Sequence, residues 1–472
     1  MIPKIIHCIQ HHKLNENYFN SVLNRYSELY QEFELKLWSD IMCYELIEKY
    51  YPEYSFLKNS EIDWETKSSI LQFFILFTHG GLFIDCSLYP IRNIYCLIES
   101  RSMVVKTKNT VLNPDSEKHE LISSDFIVCE KHHPFIHSII KNINKENIKK
   151  PDFLVRLKEG LFITELYSEF SDKSALTLIR DDFFGTITHD ILNNGPQLKN
   201  LLRYLYFIYM PASAISSNSH EEYLDIIRDF FSDKTFMAMP LISCLCVSNN
   251  KEIMVKRCIQ SFNEQLYENK ELIIIYEKTS KAYSFIENIS QKNINTTLIT
   301  SNQKKKNLGE LRNSGIVKSS GQYLIQWDDD DVYDPHRIFI QYSQMVKSGC
   351  NASILNQVTI YDSLTKKYSL SKLRVWEGTV LFDKSLAIKH NIWYPDLIKG
   401  EDTPFIEMIQ SHFKIQIFND PYLYLYITHT HNAFDYKHHS ALIKTKFYLF
   451  KTYLKNTDNK LLYFNSIFNS TE

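Results

Sequence analysis

Glycine and proline are scarce, 11 and 13 in 472 residues, less than half of the roughly 12% that average usage supplies. That excludes collagen-like chains and Gly/Pro-rich disordered ones. Charge of one sign is missing as well. The 53 Lys and Arg offset 55 Asp and Glu, for a net charge of −2, and no basic field draws the chain to nucleic acid. The nine cysteines include no C-x-x-C pair and are odd in number. This argues against a zinc cage or a secreted disulfide framework, and for reduced thiols in a reducing compartment. Long apolar runs are absent. The longest, Ser68 to Ile84, is interrupted by Gln72, Thr78, His79, Gly80 and Gly81, too short and mixed to span a bilayer. The opening Met1-Ile2-Pro3-Lys4 lacks a signal-peptide pattern, so a soluble, cytoplasmic protein is expected. What is abundant is core material, 44% hydrophobic residues with 30 Tyr and 30 Phe. At ~100–200 residues per domain the length predicts two to four domains.

One boundary stands out. A helical stretch around Glu221–Phe231 gives way to Ser232-Asp233-Lys234-Thr235 and Pro240. Leu241-Ile242-Ser243-Cys244-Leu245-Cys246-Val247 then has the length of a buried strand. We divide the chain into residues 1–235 and 236–472. In the second part Val255, Cys258, Ile259 and Phe262 fall at helical spacing, and Leu272 to Tyr276 reads as a strand. Leu308, Leu311 and Gly315 mark a short helix, and Tyr323 to Trp327 is a further strand. Asp334-Pro335 is expected to be the N-cap and first residue of a helix carrying Ile338, Phe339, Tyr342 and Val346 on one face. This alternation implies a mostly parallel sheet with ligands at the carboxyl ends of its strands. The first part has similar grammar: a strand at Ile2–Ile9, an amphipathic helix through Tyr18, Val22, Tyr26 and Leu29, and a helix through Ile70 to Phe77. That helix stops at Gly80-Gly81, a pair suited to left-handed C-cap geometry, and the strand Leu82-Phe83-Ile84 ends at Asp85.

Trp327 is followed by Asp328-Asp329-Asp330-Asp331. A charge run is ordinarily a solvated loop. Here it follows a buried strand and precedes a helix, the place where open α/β sheets bind ligands. A divalent cation on these carboxylates would relieve their repulsion and bridge a diphosphate.

From Leu241 to about Phe434 the chain resembles glycosyltransferase family 2, inverting enzymes with a nucleotide-diphospho-sugar fold. The residues carrying the resemblance are Val247-Ser248-Asn249-Asn250, Leu308-Gly309-Glu310-Leu311-Arg312-Asn313-Ser314-Gly315, Trp327 through Asp331, Gly400-Glu401-Asp402 and Tyr426-x-x-His429-x-x-Asn432. The resemblance implies donor contacts from Ser248, Asn249, Arg312, Asp328 and Asp329, and metal contacts from Asp330, Asp328 and His429. It assigns catalysis to Asp402, as the base, with Glu401 beside it. Where the family often has an acidic pair after its second strand, this chain has Tyr276-Glu277-Lys278, and Glu277 becomes the residue to hold the base. Three of these side chains keep a second reading. Asp402-Thr403-Pro404 would serve as a helix N-terminus, His429 as a core histidine, and Trp376 either as a platform for the acceptor sugar or as core.

Ile2-Pro3-Lys4-Ile5-Ile6-His7, Trp38-Ser39-Asp40, Tyr51-Pro52 and Gly80-Gly81-Leu82-Phe83-Ile84-Asp85 are similar to glycosyltransferase family 32 and related capsular-polysaccharide proteins over roughly residues 1–200. That resemblance implies a second sugar-nucleotide fold, usually of retaining enzymes, with Asp85 as a donor contact. The family's Asp and Arg on the helix before Gly-Gly fall on Ser69 and Gln72, its D-x-D is Asp85-Cys86-Ser87, and Gly160…Thr164 partly echoes a later segment. Either a donor site or a degenerate scaffold or acceptor-binding domain fits these residues.

The expected fold class is therefore α/β, with two nucleotide-diphospho-sugar transferase (GT-A type, Rossmann-like) domains in tandem. The expected activity is transfer of a sugar from a nucleotide-diphospho-sugar to a glycan or lipid-linked glycan acceptor, with a divalent metal (Mn2+ or Mg2+). The setting would be bacterial capsular or lipopolysaccharide synthesis, with peripheral contact at the inner face of the cytoplasmic membrane. Two working sites would make a polymerase. The competing class is a carbohydrate-binding or assembly protein with vestigial sites.

Overall fold

The computed structural model describes residues 1–10, 15–110, 119–172, 175–186, 198, 201–210, 225, 227, 238–248, 252–277, 296–301, 307–397, 400–428 and 443. The helical stretch expected around Glu221–Phe231 lies outside them apart from Asp225 and Ile227. Two compact units make up the chain, Met1–Met237 and Ala238–Glu472. All nine cysteines are free. Among the described residues no helix is long and apolar enough to cross a membrane.

The first unit contains strands β1 (Ile5–Ile9), β2 (Glu34–Trp38), β3 (Gly81–Ile84), β4 (Leu88–Pro90), β5 (Met103–Thr110), β6 (His119–Cys129), β7 (Leu176–Ile179), β8 (Phe184–Thr186) and β9 (Phe207–Tyr209). Its main sheet runs β2-β1-β3-β6-β5-β7, and a small sheet runs β4-β9-β8. β1 is parallel to both β2 and β3, while β6 is antiparallel to β3 and β5. The parallel pairs need helical crossovers. Helix Glu16–Leu29 starts where the Asn15 side chain accepts from the amides of Asn17 and Tyr18, and it buries Tyr18, Phe19, Val22 and Tyr26. Helix Trp64–His79, capped by Asp63, buries Ile70, Phe73, Phe74 and Leu76. It ends at Gly80 with φ +66° and ψ −162°, so φ is positive as expected but ψ is extended rather than left-handed helical.

Parallel pairing brings the separate N-terminal motifs onto one histidine. Trp38 Nε1–H donates to His7 Nδ1 at 3.1 Å. The neutral ring therefore carries its proton on Nε2, which donates to the Gly80 carbonyl at 2.8 Å. Gly81 (φ +96°) admits no side chain, because a Cβ there would lie 2.5 Å from the Ile5 carbonyl oxygen. Tyr51, from the third motif, shares a 2.7 Å hydrogen bond with Thr78. His7, Trp38 and Gly81 belong to the sheet and Thr78 to the helix before it; none of these bonds involves Asp85. His7 is fully buried, and burial lowers its pKa from 6.5 to about 3. A histidine held neutral in the fold, yet free to protonate when unfolded, stabilises the unit fully above the unfolded pKa. That stability is lost as pH falls from there toward the folded value. At pH 5 the loss from His7 alone is about 2 kcal/mol, with His79 and His133, also lowered by burial, acting in the same direction. Denaturant unfolding of the first unit's transition at pH 7.5 and pH 5 measures it. His7→Gln should flatten most of the difference, and an unflattened variant would rule out His7 as its source.

The second unit contains β10 (Ile242–Val247), β11 (Lys270–Glu277), β12 (Thr296–Ser301), β13 (Tyr323–Gln326), β14 (Val332–Tyr333), β15 (Ala352–Leu355), β16 (Thr359–Asp362), β17 (Lys367–Leu370), β18 (Leu381–Asp383), β19 (Ile415–Phe418) and β20 (Tyr424–Thr428). The main sheet runs β12-β11-β10-β13-β18-β15-β19 and a second runs β14-β20-β16-β17. β12, β11, β10 and β13 are parallel neighbours, and β18 is antiparallel to β13 and β15. Both units thus have the expected α/β class, with a Rossmann-like run of parallel strands.

Helix Arg337–Lys347 starts later than Asp334-Pro335 predicts, with His336 in the N-cap position. Asp334 is engaged in the turn before it. Its carboxylate accepts from the His336 amide at 2.9 Å, its amide donates to the Leu423 carbonyl at 3.1 Å, and its own carbonyl accepts from Gln265 Nε2 at 2.8 Å. Pro335 likewise gives its carbonyl to the Leu266 amide.

Candidate active site

Helix Leu308–Lys318 begins with a capping box in which the Asn307 side chain and the Glu310 side chain bond each other's backbone amides. Gly309 lets it lie flush on the chain at Pro395, since a Cβ there would meet the Pro395 carbonyl oxygen at 2.2 Å. Asn313 clips the same segment, donating to the Tyr394 carbonyl at 2.8 Å and accepting from its amide at 2.9 Å. The docked helix presents Arg312, 6% exposed, to three carboxylates. Its Nη2 lies 3.4 Å from Asp328 Oδ1, its Nη1 lies 2.6 Å from Glu401 Oε1, and Nη1 also pairs with Asp402 Oδ1. The Tyr394 ring lies 5.2 Å from the guanidinium. Burial alone would lower the Arg312 pKa; Asp328, Tyr394 and Glu401 overcome it, so the charge is held.

The four aspartates after Trp327 divide their work. Asp329 is 8% and Asp331 1% exposed, whereas Asp328 and Asp330 are half-buried. A solvated loop would not alternate in this way. Asp329 Oδ2 accepts from Ser248 Oγ at 2.6 Å, which ties the end of β13 to the end of β10. Asp331 Oδ2 accepts from the Tyr424 hydroxyl at 2.5 Å and Oδ1 from the Ile427 amide at 2.8 Å. It anchors the loop to β20. Burial, then Asp330 and Asp328, push the Asp331 carboxyl well above the usual range. Asp328 accepts from Gln326 Nε2 at 3.2 Å. Burial raises its carboxyl, Arg312 opposes and Asp330 adds to the rise.

Asp402 is the first residue of helix Asp402–His412, and no side chain makes a capping bond from the N-cap residue, Glu401. The Asp402 side chain is 30% exposed with Oδ1 on Arg312, and the same residue opens its helix, so the ion pair and the helix N-terminus coexist. Glu401 is 1% exposed. Trp376 is 8% exposed, with Tyr426 at 5.8 Å between ring centroids and the Arg374 guanidinium at 5.4 Å. This is the packing of a core tryptophan, with little surface left for an acceptor sugar. The turn after it nonetheless borders the site, because a Cβ at Gly378 would stand 3.6 Å from Asp328 Oδ2. Asn249, His429 and the Glu277 side chain lie outside the described residues.

Ser248, Arg312, Asp328, Asp329, Asp330, Glu401 and Asp402 are thus gathered at the carboxyl ends of β10 and β13. Asp328 and Asp330 offer hard oxygen donors, and a cation would offset the repulsion between them. Among the described residues no group of three or more His, Cys, Asp or Glu is placed to hold a metal ion.

Residues 243–400 match glycosyl transferase family 2. The matched stretch begins within β10, takes in Arg312 and the aspartate run, and ends just before Glu401. Over 99 residues the chain is 29% identical to the putative glycosyltransferase EpsH of Bacillus subtilis, a match covering 21% of this chain and 28% of that protein. Over 251 residues it is 24% identical to the uncharacterized glycosyltransferase MJ1057 of Methanocaldococcus jannaschii, covering 49% of this chain and 84% of that one. Among solved structures, S. aureus TarS 1-349 in complex with UDP-GlcNAc aligns with a TM-score of 0.36 at 13% identity, over 41% of this chain and 60% of that chain.

In the first unit, Asp85 follows β3 and its Oδ1 accepts from the Ser87 amide at 2.8 Å. Ser69 Oγ donates to the Glu65 carbonyl at 3.0 Å, and Gln72 Nε2 donates to the Ser69 carbonyl at 2.8 Å. The Ser69 hydroxyl is thus used within its own helix, whereas Gln72 Oε1 is buried without a hydrogen-bond partner. Beside Asp85 lies a cluster that the motifs do not announce. The Lys106 ammonium, almost fully buried, sits 3.2 Å from Asp125 and 3.0 Å from Asp181, and the Tyr209 hydroxyl bonds Asp125.

Proposed function

We propose that the chain is a glycosyltransferase that moves a sugar from a nucleotide-diphospho-sugar to a glycan acceptor, with the family 2 region as an inverting, metal-assisted catalyst. The observation that carries this reading is the Arg312 bridge, which holds the aspartate run and Glu401-Asp402 in one polar site at the strand ends. Asp402, with one oxygen fixed by Arg312, takes the proton of the acceptor hydroxyl as that oxygen attacks the anomeric carbon in line and the nucleoside diphosphate departs. A divalent cation held by Asp330 and Asp328 would supply positive charge to the departing diphosphate. Ser248 and Asp329 border the donor. A lipid-linked acceptor in capsular or lipopolysaccharide assembly, at the cytoplasmic membrane face, fits the reaction.

For the first unit we favour a scaffold or acceptor-binding role, because Ser69 and Gln72 stand where the resembled family has Asp and Arg, and neither carries a charge that could complete a donor clamp with Asp85. A screen of sugar nucleotides for transfer and hydrolysis, with and without manganese, tests the whole reading. Asp330→Ala should abolish transfer while leaving thermal unfolding unchanged, since the side chain is half-buried on a loop. Asp85→Ala should cost less activity. Metal-independent transfer that survives Asp330→Ala would defeat the metal assignment. A distinct sugar addition lost in Asp85→Ala would make the chain a bifunctional polymerase.

A further inference from the structure

Behind the aspartate loop is a cation that takes part in none of the contacts described so far. Arg337 is 0% exposed, and among the described residues no carboxylate lies within ion-pair distance of it. It is enclosed by three aromatic rings instead. Its guanidinium carbon lies 4.3 Å from the Tyr333 ring, 4.8 Å from Tyr424 and 5.1 Å from Trp327. Desolvated cation–π contacts of this kind are the strong ones.

Both tyrosines carry the restraint forward into the loop. The Tyr333 hydroxyl accepts the Asp328 amide at 2.6 Å and donates to the Asp328 carbonyl at 2.9 Å, clamping that residue's backbone from both sides. The Tyr424 hydroxyl holds Asp331 at 2.5 Å and reaches Asp328 Oδ2 at 3.4 Å. Arg337 also fixes the strand end and the facing turn. Nη2 donates to the Gln326 carbonyl at 2.9 Å, and Nε donates to Gln341 Oε1 at 3.0 Å. Gln341 in turn donates to the Thr379 carbonyl at 2.7 Å, next to Gly378.

We propose that Arg337 is a positioning residue of the donor site: by stacking Trp327, Tyr333 and Tyr424 it sets the geometry of the Asp328–Asp331 loop that meets the sugar nucleotide. It touches no reacting atom. The inference rests on reading the family 2 region as a transferase.

The test uses the full chain and two variants. Arg337→Met keeps length and apolar packing but removes the charge and the planar donors; Arg337→Lys restores the charge alone. KM for donor, KM for acceptor and kcat are measured for each. Calorimetric titrations with UDP and with GDP, in manganese, report binding without turnover. Arg337→Met should raise donor KM and weaken diphosphate binding by about tenfold, within the range that a desolvated cation–π cage can supply. Acceptor KM and kcat at saturating donor should stay within about twofold of wild type. Arg337→Lys should fall between, at about threefold. A merely structural role predicts the opposite split: less folded protein lowers apparent kcat and leaves both KM values alone. That pattern, or an unchanged donor KM in both variants, would overturn the proposal. If Arg337→Met does not fold, Arg337→Lys decides on the same criteria. A wild-type chain that neither transfers a sugar nor binds either diphosphate would sink the transferase reading, and this inference with it.

Discussion

Arg312→Met is expected to abolish sugar transfer and to cost the second unit several kcal/mol of stability. Arg312 is the guanidinium shared by Asp328, Glu401 and Asp402. Glu401 is 1% exposed, so removing its cation leaves a carboxylate out of water and unpaired. Breaking a buried ion pair from one side typically costs about 3–5 kcal/mol. Two neighbouring carboxylates would repel it in addition. The catalytic loss has a separate cause, since without the bridge neither the aspartate loop nor the helix at Asp402 is held to the other. Arg312→Lys separates the two effects. One ammonium retains the charge but cannot reach three carboxylates from a planar fork, so folding should largely survive while transfer falls by about 100-fold. Denaturant unfolding and initial-rate measurements on both variants check this. Near-normal transfer by Arg312→Met would remove Arg312 from the site.

Asp402→Asn should slow transfer by at least ~100-fold, the lower end of what a positioned general base contributes. The amide is nearly isosteric, and its oxygen can still face Arg312. It cannot take a proton from the acceptor hydroxyl. Donor KM and unfolding should hardly change, because the base acts on the acceptor and the helix has no capping bond from this residue's neighbour to lose. Transfer at the wild-type rate would leave Asp402 as a partner of Arg312 and nothing more.

The strands and helices around the site could be read directly from the residues. Leu241–Val247, Leu272–Tyr276 and Tyr323–Trp327 are apolar runs whose periodicity is local, and they correspond to β10, β11 and β13. What could not be read depends on partners distant in sequence. Asp331 looks like its three neighbours until Tyr424, 93 residues on, takes its carboxylate. Arg337 looks like a surface residue of an amphipathic helix until three rings close around it. Asp334-Pro335 has the grammar of a helix start, and only the contacts to Leu423 and Gln265 reveal a turn. In the first unit the motifs were visible, but their role was not. Their meeting at His7 is a matter of strand pairing, whereas Lys106, Asp125, Asp181 and Tyr209 come from four separate segments with no shared spacing to signal them.

The missing side chain at Gly309 has a consequence for how natural and laboratory variation in this protein is to be interpreted. With the Pro395 carbonyl oxygen only 2.2 Å from where a Cβ would stand, even alanine would act as a shim beneath the helix, tilting it off its seat. Arg312 is less than one turn away on that helix, so the displacement would pass straight to the three carboxylates it joins. A methyl group remote from every reacting atom would then mimic a catalytic lesion. Inactive variants mapped to this position would mark a fault in alignment rather than a lost participant in the reaction.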